Sequence, residues 1–244
     1  MRVIGVLDLA RGVAVHARGG ERARYAPVES CLTRRAGDPV ALATAYREVL
    51  GLDELYAADL DAIGGAAPQR PLARRLAECC GRLWLDAGIS TEDRALGAVA
   101  DGAARVVVGL ETLASFDDLA AIARAVGGAR TAFSLDLRAG MPIVRPAAAH
   151  PTRPVALVER AAAAGAEAVI VLDVARVGGA AGLDLALVER VRGAVPHVEL
   201  VAGGGVRGRA DLERLAGAGC DAALVATALH DGRLRTGDVA AFSK

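Results

Sequence analysis

Two aspartates stand in the same short phrase at distant points of the chain. Leu7-Asp8-Leu9 is followed by Gly12, and Leu135-Asp136-Leu137 is followed by Gly140. Each phrase ends an apolar run rich in β-branched residues, which is typical of a buried parallel strand. Carboxylates at strand ends that meet on one face can act as a general acid and a general base. Asp8 and Asp136 are therefore predicted to be the catalytic pair.

Two further aspartates follow apolar runs, and each precedes a Gly-Gly pair: Asp59 and Asp173. Clustered carboxylates push one another's pKa values apart, so these two are expected to tune Asp8 and Asp136. The alternative is that they only accept hydrogen bonds from loop backbone. Carboxylates of this kind can bind Mg²⁺, but no spacing in the sequence requires a metal. Neither a metal nor a cofactor is predicted.

A run of glycines and a Thr follow the last two predicted strands. Gly204 and Gly205 come after one strand, and Ala226-Thr227 after the next. Loops at these two places in a parallel barrel frequently bind phosphate. Glycine lets backbone N–H groups approach an anion, and the Thr227 hydroxyl is a further donor. We expect a phosphate group at this position; the alternative is that the glycines only form tight turns.

The first half of the chain offers a matching pair of loops, which contain Gly88 and Gly109. They are expected to form a second phosphate site. Asp86 stands beside Gly88, and a carboxylate there would repel phosphate. The sequence therefore leaves two interpretations of Gly88 and Gly109 open: a second phosphate site, or glycines that only form turns.

Arg18, Arg22 and Arg24 lie in a polar, glycine-led loop that ends at Tyr25. Their guanidinium groups suit a lid that clamps phosphate or carboxylate, and the alternative is a solvated loop. The histidines are scattered, with no pair at a metal-ligand spacing, and are expected to be surface or structural residues: His16, His150, His197 and His230.

Composition excludes several classes of protein. The formal net charge is zero and no basic stripe is present, which argues against nucleic-acid binding. The one lysine is Lys244, so neither a Schiff-base mechanism nor a Walker-type phosphate loop is expected. The four cysteines match no zinc or C-x-x-C pattern, and the chain shows no signal peptide or membrane-length run. A cytoplasmic protein is expected, and the sequence identifies no protein partner.

Strand and helix patterns alternate eight times, which predicts an α/β fold: a (βα)8 TIM barrel in a single domain over residues 1–244. The loop at Gly88 lies 117 residues before its equivalent at Gly205, and the loop at Gly109 lies 117 residues before its equivalent at Ala226. Asp8 and Asp136 lie 128 residues apart. This indicates two duplicated half-barrels, about 1–128 and 129–244. The predicted strands are residues 3–7, 54–59, 82–86, 105–108, 131–135, 168–172, 199–202 and 222–225.

The chain resembles the isomerase and cyclase family of histidine biosynthesis, and the isomerase more closely. The resemblance implies a phosphorylated small-molecule substrate and an Amadori rearrangement of a bis-phosphorylated aminoaldose. It also implies that Asp8 is the base and Asp136 the second strand-end carboxylate, with one phosphate at Gly204, Gly205, Ala226 and Thr227 and the other at Gly88 and Gly109. It rests on Val6-Leu7-Asp8-Leu9 with Gly12, Ala58-Asp59-Leu60-Asp61, and residues 105–109, 134–140 and 202–206.

Several positions depart from the isomerase pattern. Leu172 stands where the isomerases have Thr, Val177 where they have an acidic Asp, and Ser90 where they have Arg. Neither Leu nor Val can move a proton. We therefore expect a paralogue in another pathway, and residues 15–25 resemble a branch associated with tetrahydromethanopterin and one-carbon metabolism. The alternatives are the genuine histidine-pathway isomerase and a catalytically silent binding barrel.

Overall fold

The computed structural model describes residues 1–17, 24–144, 153–177 and 182–242. Arg18, Arg22, His150 and Lys244 lie outside the described residues. In chain order the strands are β1 (Arg2–Ala10), β2 (Val13–His16), β3 (Ala26–Pro27), β4 (Glu54–Asp59), β5 (Arg82–Asp86), β6 (Ala103–Gly109), β7 (Thr131–Arg138), β8 (Met141–Pro142), β9 (Ala168–Asp173), β10 (Glu199–Gly203) and β11 (Ala222–Val225).

The helices follow the strands as expected for a parallel sheet. They are α1 (Pro39–Glu48), α2 (Leu60–Ile63), α3 (Arg70–Cys79), α4 (Glu92–Ala100), α5 (Phe116–Val126), α6 (Pro154–Ala163), α7 (Leu185–Ala194), α8 (Arg209–Gly217), α9 (Thr227–His230) and α10 (Thr236–Ala240). Among the described residues, no helix is long and apolar enough to cross a membrane.

Eight parallel strands close into a barrel, which confirms the predicted fold class. Their order is β1, β4, β5, β6, β7, β9, β10 and β11, and β11 returns to pair with β1. Val225 pairs with Gly5 at this closure. One apolar cluster, which includes Trp84 and Ile170, fills the barrel interior, and a larger one lies between the sheet and the helices.

Helix starts largely follow the sequence signals. The Asp38 carboxylate caps α1 by accepting from Val40 and Ala41, with Pro39 in the first turn. Ser115 caps α5 by accepting from the Asp118 N–H at 3.2 Å. At α4 the cap is Thr91, which has an extended backbone and accepts from the Arg94 N–H at 3.4 Å.

Two hairpin turns occupy equivalent places in the predicted halves. Arg11 and Gly12 connect β1 to β2, and Ala139 and Gly140 connect β7 to β8, all four with positive φ. Two consecutive left-handed residues match the twist of a tight hairpin. This likeness supports the predicted duplication.

A group of buried and partly buried charges lies inside the barrel where the strands begin. Arg2 contacts both Glu54 and Glu199. The Arg105 Nη1 atom lies 2.5 Å from Glu199 Oε2, and the Arg105 guanidinium lies 4.3 Å from the centre of the Trp84 ring. The indole N–H of Trp84 donates to Glu54 at 2.7 Å. We call these five residues the floor cluster.

Loss of one cation from the floor cluster should destabilise the protein, because an uncompensated buried charge would remain. We expect Arg105→Met to lower the free energy of unfolding by about 3 kcal/mol, measured by urea denaturation. Arg209→Met is the matched control: Arg209 and Glu213 form an exposed ion pair at 2.9 Å, so its effect should be below about 0.5 kcal/mol. Equal effects of the two substitutions would contradict a stabilising role of the floor cluster.

Candidate functional site

A cavity of about 370 Å³ opens at the carboxyl ends of the barrel strands. Asp8 from β1 and Asp136 from β7 both line it. The two catalytic candidates, which are far apart in sequence, thus face one space. The segments predicted to bind phosphate after β10 and β11 line the same cavity: Gly204, Gly205, Ala226 and Thr227.

Asp136 is buried among other acids. Ser134 and Asp136 are two residues apart on β7 and face the same side, and the Ser134 hydroxyl donates to Asp136 Oδ1 at 2.8 Å. Burial, followed by the charges of Asp86 and Glu111, raises the pKa of Asp136 well above its ordinary value. A carboxyl group in this state retains its proton at a pH where an exposed aspartate has lost it. Asp136 is thus suited to donate a proton.

Asp8 lies in a more open part of the cavity. It is partly exposed, and it pairs with Val15 on β2 and Ala58 on β4. Close by, the Tyr56 hydroxyl donates to Asp86 Oδ2 at 3.2 Å. Burial, with nearby carboxylates that include Asp8, raises the pKa of Tyr56 well above its ordinary value. Tyr56 therefore stays a protonated hydrogen-bond donor in the cavity wall.

The predicted tuning residues do not line the cavity. Asp59 pairs with Leu9 and Asp173 with Leu137, one position beyond Asp8 and Asp136 on the neighbouring strands. Successive side chains of a strand point to opposite faces. Asp59 and Asp173 therefore point away from the barrel axis.

Loop backbone occupies both carboxylates. Asp59 accepts from the backbone N–H of Ala62 at 3.1 Å and of Gln69 at 2.7 Å. Asp173 accepts from those of Ala139 at 3.0 Å and Gly140 at 2.9 Å. Such contacts are expected if Asp59 and Asp173 accept hydrogen bonds from loop backbone, as in the alternative interpretation given above. An effect of either residue on the pKa of Asp8 or Asp136 stays a prediction.

The predicted phosphate site in the first half is not part of the cavity wall. The Gly88 N–H donates to Asp86 at 3.3 Å. A Cβ atom at position 109 would lie 3.2 Å from Asp136 Oδ2 and 3.7 Å from Asp86 Oδ2. Since a carboxylate oxygen lies close to each of the two glycines, the structure favours their interpretation as turns, and an anion here stays a prediction.

The second-half glycines combine a required turn with access to the cavity. Gly204 has a φ of +83°, and a Cβ atom there would lie 2.5 Å from the Asp173 carbonyl oxygen. Only glycine fits this position. Two arginines that sequence analysis missed line the same cavity: Arg207 and Arg233.

Acidic partners orient both arginines. The Arg207 Nε and Nη2 atoms donate to Asp211 at 2.8 and 3.0 Å. The Arg233 Nε atom donates to Asp231 at 2.7 Å. Arg207 also follows the Gly203-Gly204-Gly205 run directly after Val206, a spacing that could have marked it. The end of the cavity with the glycine loop is thus rich in cationic side chains.

Other sequence-predicted residues have separate places. Arg24 is exposed and is not part of the cavity wall, whereas Tyr25 lines it. Leu172 and Val177, the positions that depart from the isomerase pattern, line the cavity as apolar wall. His16 lies next to the site, because its Nε2 atom is 3.0 Å from the Thr227 hydroxyl.

His230 is a structural residue buried next to this region. The Tyr46 hydroxyl donates to the Val6 carbonyl at 3.1 Å, so it accepts from His230 Nε2 at 3.0 Å. The Ser30 hydroxyl lies 3.2 Å from the other ring nitrogen. Burial lowers the pKa of His230 to about 4, which keeps the ring neutral.

Comparison with known proteins finds relatives over almost the whole chain. A family model described as "Histidine biosynthesis protein" matches residues 2–235. The chain is 36% identical, over 238 residues, to 1-(5-phosphoribosyl)-5-((5-phosphoribosylamino)methylideneamino) imidazole-4-carboxamide isomerase of Thermus thermophilus, covering 96% of this chain and 97% of the relative. It is 32% identical to the Thermomicrobium roseum protein of that name over 243 residues, 96% and 94% of the two chains. An uncharacterized protein of Methanocaldococcus jannaschii is 30% identical over 246 residues, 96% and 95%.

The raised pKa of Asp136 predicts a pH effect on stability. A carboxyl group whose pKa is raised by folding holds its proton more tightly in the native state, so the free energy of unfolding falls as pH rises from its ordinary pKa to the raised one. Asp136→Asn cannot ionise. As pH rises above the ordinary carboxyl pKa of about 4, we expect the variant to become steadily more stable relative to wild type, measured by urea denaturation. The control is Glu189→Gln, at an exposed position on α7. If the stability difference from wild type is equally independent of pH for both variants, the raised pKa of Asp136 is refuted.

Proposed function

Because the chain belongs to the histidine biosynthesis protein family, we propose that it is an acid–base isomerase of a phosphoribosyl-bearing small molecule. The reaction that the comparisons favour is that of the isomerase for which the Thermus and Thermomicrobium relatives are named. One observation carries this proposal: Asp8, Asp136 and the glycine loop at Gly204 line one cavity.

The two carboxyl groups suit the two halves of an aminoaldose–aminoketose rearrangement. Asp136, with its raised pKa, donates a proton to the ring oxygen of the sugar, and the ring opens to a C1 iminium. Asp8, which is more open to solvent, removes the proton from C2. Asp8 then returns its proton to C1 while the C2 hydroxyl gives its proton to Asp136. The enol becomes a ketone, both carboxyl groups regain their starting states, and the product has the atoms of the substrate in a new arrangement. Assignment of the acid to Asp136 accounts for the apolar side chain of Val177.

The opposite end of the cavity is suited to hold the phosphate. Gly204 and Gly205 bring backbone close to the cavity, and Thr227 adds a hydroxyl. The positive charges of Arg207 and Arg233 favour a dianion at this end. An anchored phosphate would place the sugar carbons between Asp8 and Asp136, and positioning of this kind lowers the barrier of the chemical step.

A second candidate function is the same chemistry on a different phosphorylated compound. Leu172 and Val177 line the cavity where the isomerase resemblance places proton-handling groups, and Asp86 and Glu111 line it near the place of a second phosphate. These positions favour a substrate with one phosphate. The relatives described above are named for the histidine enzyme or for no function, so assignment to one-carbon metabolism stays a prediction.

Substitution of either carboxyl group should abolish turnover. We expect Asp8→Asn and Asp136→Asn each to lower kcat by a factor of about 100 or more, because each removes a group that moves a proton. The measurement is a direct assay with the bis-phosphorylated aminoaldose of the histidine pathway, together with growth rescue of a strain that lacks the isomerase. Glu189→Gln, an exposed carboxylate on α7, should behave as wild type.

The turnover assay, the growth rescue and a measurement of phosphate binding by the wild-type protein together separate the candidate functions. Turnover with rescue supports the histidine enzyme with Asp136 as its acid. Phosphate binding without turnover supports the second candidate. Binding of the aminoaldose with full turnover in both Asn variants would refute the roles of Asp8 and Asp136, and absence of both turnover and phosphate binding would refute the proposed site itself.

A further inference from the structure

The side chain of His16 reaches Thr227 where the barrel closes. The His16 Nε2 and Thr227 Oγ1 atoms are 3.0 Å apart. His16 ends β2 directly after Val15, the partner of Asp8. Thr227 begins α9, two residues after Val225, which pairs with β1. The first hairpin and the last turn after a barrel strand thus meet in one hydrogen bond beside Asp8.

His16 lies behind Thr227 as seen from the main cavity. Thr227 lines that cavity, whereas His16 is not part of its wall. Both residues line a second space of about 20 Å³, together with Asp8 and His230. A group in this position acts on a ligand through Thr227 and not by direct contact.

The direction of the hydrogen bond decides what Thr227 can offer a ligand. A threonine hydroxyl has a single proton to donate. If it donates to the imidazole, none is left for an anion, and a phosphate dianion can only accept. If His16 Nε2 carries the proton and donates to Thr227 Oγ1, the hydroxyl proton is available for the anion.

We propose that His16 is a positioning residue for the phosphate group: it donates from Nε2 to Thr227, so that the Thr227 hydroxyl donates to phosphate held beside Gly204 and Gly205. This inference rests on the proposed function for the place of the phosphate. It assigns to His16 an effect on binding and none on proton transfer to the sugar.

The test compares inorganic phosphate binding and isomerase kinetics in matched variants. We expect His16→Ala to raise the Kd of phosphate and the KM about five- to tenfold, the size of one lost hydrogen bond, with kcat changed less than about twofold. His16→Gln should stay close to wild type, because the Gln amide can donate in place of Nε2. The exposed His197→Ala is the control for loss of a histidine.

A double-mutant cycle identifies the route of the effect. Thr227→Val removes the hydroxyl with little change in shape, and in that background His16→Ala should weaken phosphate binding no further. Additive effects of the two substitutions, or a His16→Gln variant as weak as His16→Ala, would overturn the role of His16.

Failure of the inference and failure of the proposed function give different results. If wild type and His16→Ala bind phosphate equally, His16 has no positioning role and the proposed function stands. If the wild-type protein binds phosphate without isomerase turnover, the proposed reaction is wrong. The double-mutant cycle on phosphate binding then still tests the positioning role of His16. If wild type binds no phosphate at this site, both are overturned.

Discussion

The floor cluster is the constraint on which the position of the site depends. Its charges come from strands that are distant in sequence: Arg2 contacts Glu54 and Glu199, and Arg105 contacts Glu199. Charges removed from water need partners, so these strands must begin at matching heights. Each residue of a parallel strand advances about 3.3 Å. A register set at the floor therefore also sets the height at which Asp8, on the strand of Arg2, reaches the mouth.

The mouth holds a group of acids at one end and two arginines at the other, with the exposed Arg138 of β7 on the acidic side. Asp86, Glu111 and Asp136 lie at one end, and burial together with the mutual repulsion keeps a proton on Asp136. Arg207 and Arg233 lie with the glycine loop at the other. Acid–base chemistry on a phosphorylated compound needs both an anchored anion and a carboxyl group that stays protonated. Separation of the two ends lets each requirement be met without neutralising the other.

The strands and the meeting of Asp8 and Asp136 in one cavity could be predicted from sequence, because apolar runs and strand-end carboxylates are local signals. The limits of β4, β5 and β11 agree with the prediction. Asp59 and Asp173 were expected to tune the catalytic candidates, but strand register, which no local pattern reveals, places them one residue beyond the inward-facing level. The place of His16 beside Thr227 and that of Arg233 in the cavity wall could not be predicted, because both depend on contacts between distant parts of the chain.

The closure of β11 on β1 bears on how the protein is made. A ribosome releases the chain from its N-terminus at about 5 to 20 residues per second, so β1 waits for its second neighbour, β11, while the strands between them are synthesised. Until β11 emerges, β1 presents an unpaired edge on that side, and such edges pair readily with other strands. The short strand β2 pairs with β1, and β3 pairs with β2. Because β2 follows β1 directly, it gives the nascent chain an early partner for the strand that carries Asp8, before the cavity exists.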